Sequence, residues 1–140
     1  MQADILTPVV VLVAWTLVML LWMLFTRLPA MRAAGVDMNK LVGSKPADAE
    51  RLPPEVQWKA HNHNHLHEQP TLFYAVALVL AMIGQGDGLN ATLAWGYVAF
   101  RIAHSLVQAT VNRVAIRFAF FGLASVCLIA LTLHAAVVVF

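Results

Sequence analysis

Apolar residues occur in long runs along this chain, separated by short polar or charged stretches. The first run extends from Ile5 to Thr26 without a charged residue, and the last extends from about Ala115 to Phe140. About 20 mostly apolar residues are enough for a helix to cross a bilayer. Both runs are therefore predicted to form membrane-spanning helices.

Two less regular spans are predicted between them. The apolar run 71–83 is too short alone, so we extend it backwards to the prolines at 53–54, which suit the first turn of a helix. The third run covers 89–112, and the glycine-rich segment 84–88 before it predicts a tight turn. We expect one membrane domain over residues 1–140. Its helices are predicted at about 5–26, 54–84, 89–112 and 115–139, with a loop at about 27–53.

The composition agrees with this pattern. Hydrophobic residues make up 61 % of the chain and charged residues 11 %, whereas soluble domains have about 45–50 % and about 25 %. A soluble domain of this size buries only about two-thirds of its unfolded surface. This excludes a soluble monomer and a disordered chain, and the single cysteine excludes a disulfide scaffold. We expect an all-α integral membrane protein, a four-helix bundle.

The basic residues lie on alternate sides of the predicted spans. Six of the nine Lys and Arg residues fall within 27–59, and Arg113 and Arg117 lie at the third junction. Cytoplasmic loops carry an excess of Lys and Arg. The loop 27–53 is therefore expected in the cytoplasm and both termini on the opposite side, across the inner membrane in a bacterium. Because topology explains the basic charge, no nucleic-acid partner is expected.

Polar side chains cluster at one depth of the predicted membrane. They are His61, His65 and Glu68 on the second helix, Arg101, His104 and Gln108 on the third, and Arg113 and Arg117 on the fourth. Within each helix the spacing places them on one face. Ionisable groups inside a span are costly and usually functional. Because guanidinium groups bind carboxylates in a bidentate manner, these residues predict a pocket for an anionic ligand.

Other interpretations of these side chains stay open. The two arginines of the fourth helix could be anchors at the lipid headgroups, and Arg101 could form a structural ion pair with Glu68. His61, His65 and Glu68 are residue types that bind zinc. The spacing of a zincin motif is absent, however, and no metal is expected.

Two motifs resemble those of the MAPEG family, the membrane-associated proteins of eicosanoid and glutathione metabolism. The stretch 59–70 is similar to the family's basic-Ala-His sequence that runs into Asn-x-x-Glu-Asn and a proline. Arg101 and His104, followed by Arg113 and Arg117, resemble the family's Arg-x-x-His on helix three and the two arginines that open helix four. The resemblance covers nearly the whole chain.

The resemblance implies a homotrimer that binds glutathione between subunits near the cytoplasmic side. The implied cofactor-binding residues are Glu68, His104, Arg113 and Arg117, with Arg101 in support. An arginine at the end of helix one, Arg27 or Arg32, would also contact glutathione. Arg117 would be the catalytic residue, because a guanidinium favours the thiolate, which is the nucleophile. Lipophilic substrates and membrane lipids would enter from the bilayer.

Two candidate residues depart from the family pattern. His65 stands where the family has asparagine, and Gln108 stands where a tyrosine is frequent. Both remain candidates for binding glutathione. The first functional expectation is a glutathione-dependent transferase or peroxidase, and the second is a non-catalytic protein that binds a lipid or an anionic metabolite in the same pocket. A metal site in the histidine-rich stretch 61–67 is the third.

Overall fold

The computed structural model describes residues 3–43 and 45–140, in which all regular secondary structure is helical. In these residues the helices are α1 (Leu6–Ala33), α2 (Pro46–Glu50), α3 (Pro54–His65), α4 (Gln69–Met82), α5 (Leu89–Ala109) and α6 (Val114–Val139). The all-α class is thereby confirmed.

Two of these helices, α1 and α6, are long and apolar enough to cross a membrane. In an apolar 18-residue segment of each helix, only 11 % of the residues of α1 and 17 % of those of α6 are buried within the chain. They are therefore unlike the core helices of a soluble protein, whose apolar residues are mostly covered. Exposed apolar helices of this length suit contact with lipid, as expected for a membrane protein.

The helix predicted over 54–84 is divided in two. α3 ends at His65, α4 begins at Gln69, and a turn lies between them. Pro70 lies in the first turn of α4, where its missing N–H is not needed. Inside a continuous helix this proline would clash with the carbonyl four residues earlier and leave it without a donor. The proline therefore starts a new helix instead of kinking a single one.

The first helix is longer than expected. α1 continues to Ala33 rather than ending near Thr26, so Arg27 and Arg32 lie on its last two turns. A basic residue in the last turn interacts favourably with the helix dipole, which supports this extension. The connection to α3 is correspondingly shorter than the predicted loop 27–53, and it contains the short helix α2.

Helix α5 packs against α1, α3 and α6 and lies at the centre of the chain's contacts. The Trp15 indole N–H on α1 donates a hydrogen bond to the Ser105 hydroxyl on α5, at 3.0 Å. The Asn62 amide on α3 donates to the same oxygen at 2.8 Å. Ser105 is fully buried, so one hydroxyl satisfies two donors and joins three helices.

The turn between α4 and α5 lies against the start of α1. The Ile5 N–H donates to the Gly86 carbonyl at 2.8 Å, and the Asp4 N–H donates to the Asp87 carboxylate at 2.9 Å. A Cβ atom on Gly86 would come within 2.6 Å of the Ala3 side chain. The absence of a side chain at residue 86 thus permits close packing at this end of the molecule.

Candidate functional site

A cavity of about 380 Å³ opens between the α3–α4 turn, α5 and the start of α6. We call it the polar cavity. Its polar lining residues are His61, His65, Glu68, His104, Gln108 and Arg117, and its apolar ones are Val114, Phe118 and Phe121. Six of the eight polar residues that the sequence places at one membrane depth therefore line one cavity, and Arg101 and Arg113 do not.

His65 and Glu68 form a close pair at its edge. The ring Nδ1–H of His65 donates to Oε2 of Glu68 at 2.7 Å. The Glu68 side chain is 66 % exposed and the His65 side chain 25 %. The His65 ring lies 4.9 Å from that of His104 and 5.9 Å from that of Phe121, measured between centroids. The imidazole is thus held between α5 and α6 while its carboxylate partner faces the opening.

Arg101 lies one turn before His104 on the same face of α5 and is fully buried. Its Nη2 donates to the main-chain carbonyl of His65 at 3.1 Å. The structure therefore differs from an Arg101–Glu68 ion pair, because Glu68 pairs with His65 instead. Within the described chain, Nε and Nη1 of Arg101 have no hydrogen-bond partner. A buried cation without a carboxylate partner is costly, and it makes this region favourable for an anion.

Arg117 enters the polar cavity from α6. Its Nη1 donates to the side-chain oxygen of Asn112 at 2.8 Å. Asn112 lies in the connection between α5 and α6 with φ of 47°, a left-handed conformation that asparagine tolerates better than most residues. Its N–H donates to the Val107 carbonyl at 2.7 Å. The connection thus turns the chain and holds the arginine.

Asn112 and the two phenylalanines of the cavity are not among the residues that the sequence predicts for the site. An asparagine at a helix–helix junction is a turn signal, and its spacing of five residues from Arg117 was the available indication. Phe121 lies four residues after Arg117 and so on the same face of α6, which was an available indication, whereas Phe118 gave no such signal.

Three arginines considered for the site lie elsewhere in the single chain. Arg113 is exposed at the N-cap of α6, and Arg32 is exposed on the last turn of α1. Arg27 is half-buried and lines a separate cavity of about 330 Å³ together with Lys45 and Asp48. None of the three lines the polar cavity within its own chain.

The remaining histidines of the 61–67 stretch lie on another side of α3. The rings of His63 and His67 are 4.6 Å apart, and Nδ1–H of His67 donates to the His63 carbonyl at 2.8 Å. His67 faces a small groove between α1 and α4. Across residues 3–43 and 45–140, no three His, Cys, Asp or Glu side chains are placed to hold a metal ion together.

An apolar groove of about 550 Å³ runs along α4 and α6 next to the polar cavity. Gln69 lies at one end of this groove, directly after Glu68, and its amide donates to the Ser125 hydroxyl at 2.8 Å. The other lining residues are mainly leucine, isoleucine, valine and alanine. A molecule with a polar head and an apolar tail could therefore contact both regions.

The helices thus form a membrane-type chain that brings ionisable groups from three helices around one cavity. The sequence model of the MAPEG family matches residues 5–137. This match covers nearly the whole chain, and the protein belongs to the MAPEG family. Comparisons with curated proteins and with solved structures gave no match.

Proposed function

We propose that this protein is a membrane-bound transferase or peroxidase that uses glutathione against lipophilic electrophiles. The observation that carries the proposal is the polar cavity, in which Glu68 and Arg117 face a common space and the buried Arg101 lies behind it. The MAPEG family includes glutathione-dependent transferases and peroxidases. Cavity and family point to the same type of ligand.

The cavity residues match the functional groups of glutathione. The Glu68 carboxylate suits the ammonium group, and the positive charge of Arg101 favours a carboxylate nearby. Arg117 is the proposed catalytic residue, since a guanidinium lowers the pKa of a thiol from about 8.5 and stabilises the thiolate. Gln108 and His104 supply further polar contacts. Phe118 and Phe121 offer an apolar wall for the electrophile.

The proposal includes an assembly and a topology. Four spans would place both termini on the non-cytoplasmic side and the α1–α3 connection in the cytoplasm, as the distribution of basic residues favours. In a homotrimer, Arg113 and either Arg27 or Arg32 could meet the polar cavity of a neighbouring subunit. This arrangement would give the exposed arginines a role that they lack within one chain.

A non-catalytic lipid- or metabolite-binding protein is the second candidate. The apolar groove of about 550 Å³ along α4 and α6 favours this candidate, because it begins at Gln69, directly after Glu68, and has a mainly apolar lining. An anionic lipid could place its head in the polar cavity and its chain in the groove. Such a ligand would need no thiolate.

Isothermal titration of glutathione into the detergent-purified protein tests the first proposal. We expect saturable binding that both Glu68→Gln and Arg117→Ala lose. Arg51→Ala is the matched control, because Arg51 is exposed at the end of α2 and lies outside the polar cavity. An absence of binding to the parent protein contradicts the proposal. A lipid that co-purifies with the parent and is lost in both variants would then support the second candidate.

A further inference from the structure

We propose that His65, oriented by Glu68, is the general base that removes the proton from the thiol in the polar cavity. The inference rests on the proposed glutathione-dependent function. It concerns a residue at which this chain departs from the family pattern, and it follows from the pairing of an imidazole with a carboxylate inside the site.

The hydrogen bond between the two residues determines which ring nitrogen is free. Nδ1–H of His65 donates to the Glu68 carboxylate at 2.7 Å, so Nε2 is left as the basic nitrogen. Among the described residues, no side chain or carbonyl makes a hydrogen bond to Nε2, while the ring lines the polar cavity. A carboxylate on Nδ1 fixes the tautomer of an imidazole and stabilises the imidazolium that forms when Nε2 takes a proton.

The position of His65 is fixed from two further sides. Its ring lies nearly parallel to that of Phe121, with an angle of 24° between their planes. Its carbonyl accepts the hydrogen bond from Arg101 at 3.1 Å. The ring and the backbone of His65 are therefore both held in place, as a proton acceptor of defined geometry requires.

Several other ionisable groups face the same space. They are Glu68 on the α3–α4 turn, His61 one turn before His65 on α3, His104 on α5 and Arg117 on α6, while the buried Arg101 lies behind the lining. The arginines cannot accept a proton, because a guanidinium stays charged. His104 is only 2 % exposed. Within residues 3–43 and 45–140, His61 has no carboxylate beside it that would orient its ring, and His65 alone combines access to the cavity with a carboxylate partner.

The proton transfer balances without a further reactant. The S–H bond of the thiol breaks, an N–H bond forms at Nε2 of His65, and the electron pair stays on sulfur. The resulting thiolate faces Arg117, and the imidazolium faces the Glu68 carboxylate. After the thiolate attacks the electrophile, the proton passes from Nε2 to the leaving group or to solvent. In the deprotonation of the thiol, Arg117 stabilises the thiolate that forms, and His65 accelerates the reaction by accepting the proton.

Rapid mixing of the detergent-purified protein with glutathione, followed by the ultraviolet absorbance of the thiolate, tests this assignment. The parent is compared with His65→Gln, which keeps an amide within reach of Glu68 but cannot accept a proton. We expect glutathione affinity to be retained in the variant and the rate of thiolate formation at neutral pH to fall about 100-fold. The variant rate should depend more steeply on the hydroxide concentration than the parent rate, because the variant has only solvent to accept the proton.

His67→Gln is the matched control, because His67 lies two residues away on the same turn but faces the groove between α1 and α4. It should retain the parent rate. If His65→Gln does not fold, His65→Asn replaces it, since asparagine is the family's residue at this position. A variant that forms thiolate at the parent rate and with the parent pH profile refutes the inference, and so does one that loses only affinity. If the parent itself binds no glutathione, the proposed function fails as well.

Discussion

Replacement of Arg101 by methionine should leave the protein as stable as the parent. The guanidinium makes one hydrogen bond in the described chain, at 3.1 Å to the His65 carbonyl, and a bond from a charged donor contributes about 1.5–3 kcal/mol. Burial of the cation costs several kcal/mol, and Glu68, which pairs with His65, offsets only part of this cost through its charge. Methionine fills the space with a flexible apolar side chain. The lost hydrogen bond and the removed cost of burying the cation therefore nearly cancel, or leave the methionine variant more stable than the parent.

The same substitution should weaken the binding of an anionic ligand. Arg101 contacts the backbone of His65, so its charge acts on the polar cavity from directly behind the lining. Two unit charges about 8 Å apart interact by about 2 kcal/mol at an effective dielectric constant of about 20. Because about 1.4 kcal/mol corresponds to a tenfold change in affinity, Arg101→Met should raise the Kd for glutathione by roughly 30-fold.

Isothermal titration and thermal unfolding in the same detergent measure the two effects separately. Arg51→Met is the control, since this exposed arginine lies outside the polar cavity. A lower melting temperature with unchanged affinity would show that Arg101 is needed for the fold alone. That result would refute the argument that its unpaired charge serves a ligand.

Substitutions at Asn112, Gly86 and Ser105 test the packing and the connection that hold the site. Asn112→Gly keeps the left-handed backbone but removes the hydrogen bond to Arg117. The rate of thiol conjugation should therefore fall while the melting temperature stays near that of the parent. An unchanged rate would exclude a role of Asn112 in positioning Arg117. Gly86→Ala should destabilise the protein by about 1–3 kcal/mol through overpacking. The control Gly122→Ala, at a helix position with open space around it, should stabilise the protein by about 0.5–1 kcal/mol. Equal shifts in melting temperature for the two variants would contradict the close contact at residue 86. Ser105→Ala should leave the buried Asn62 amide without an acceptor, at about 1–3 kcal/mol, and the half-buried Trp15 indole at a smaller cost. Ser105→Thr should restore most of the loss in a thermal unfolding assay, and a fully stable alanine variant would argue against the link between α1, α3 and α5.

The buried face of α5 could be predicted from the sequence. Arg101, His104 and Gln108 recur at helical spacing within an otherwise apolar run, and all three are buried in the structure. Because these polar residues stand among apolar ones, their spacing was enough to predict which face of α5 is buried. The same spacing argument extends to Phe121, which lies four residues after Arg117 on α6, whereas Phe118 falls outside that spacing and could not be identified.

The hydrogen-bond partners of these residues could not be predicted. Charge alone favours an ion pair between Arg101 and Glu68, but the structure pairs Glu68 with an imidazole and Arg101 with a carbonyl. The role of Asn112 depends on the path of a short connection, and the length of α1 depends on where a helix end frays. Helix ends are the least certain features of a sequence pattern.

The break before Pro70 accounts for much of the arrangement of the site. In a continuous helix the carbonyl of His65 would accept the N–H of residue 69. At the end of α3 it instead accepts the N–H of Glu68 at 3.3 Å and the guanidinium of Arg101 at 3.1 Å. The same turn makes Glu68 the N-cap residue of α4, with its carboxylate on the His65 ring. The proline therefore acts on function through the backbone, because it creates the helix end on which both charged side chains depend.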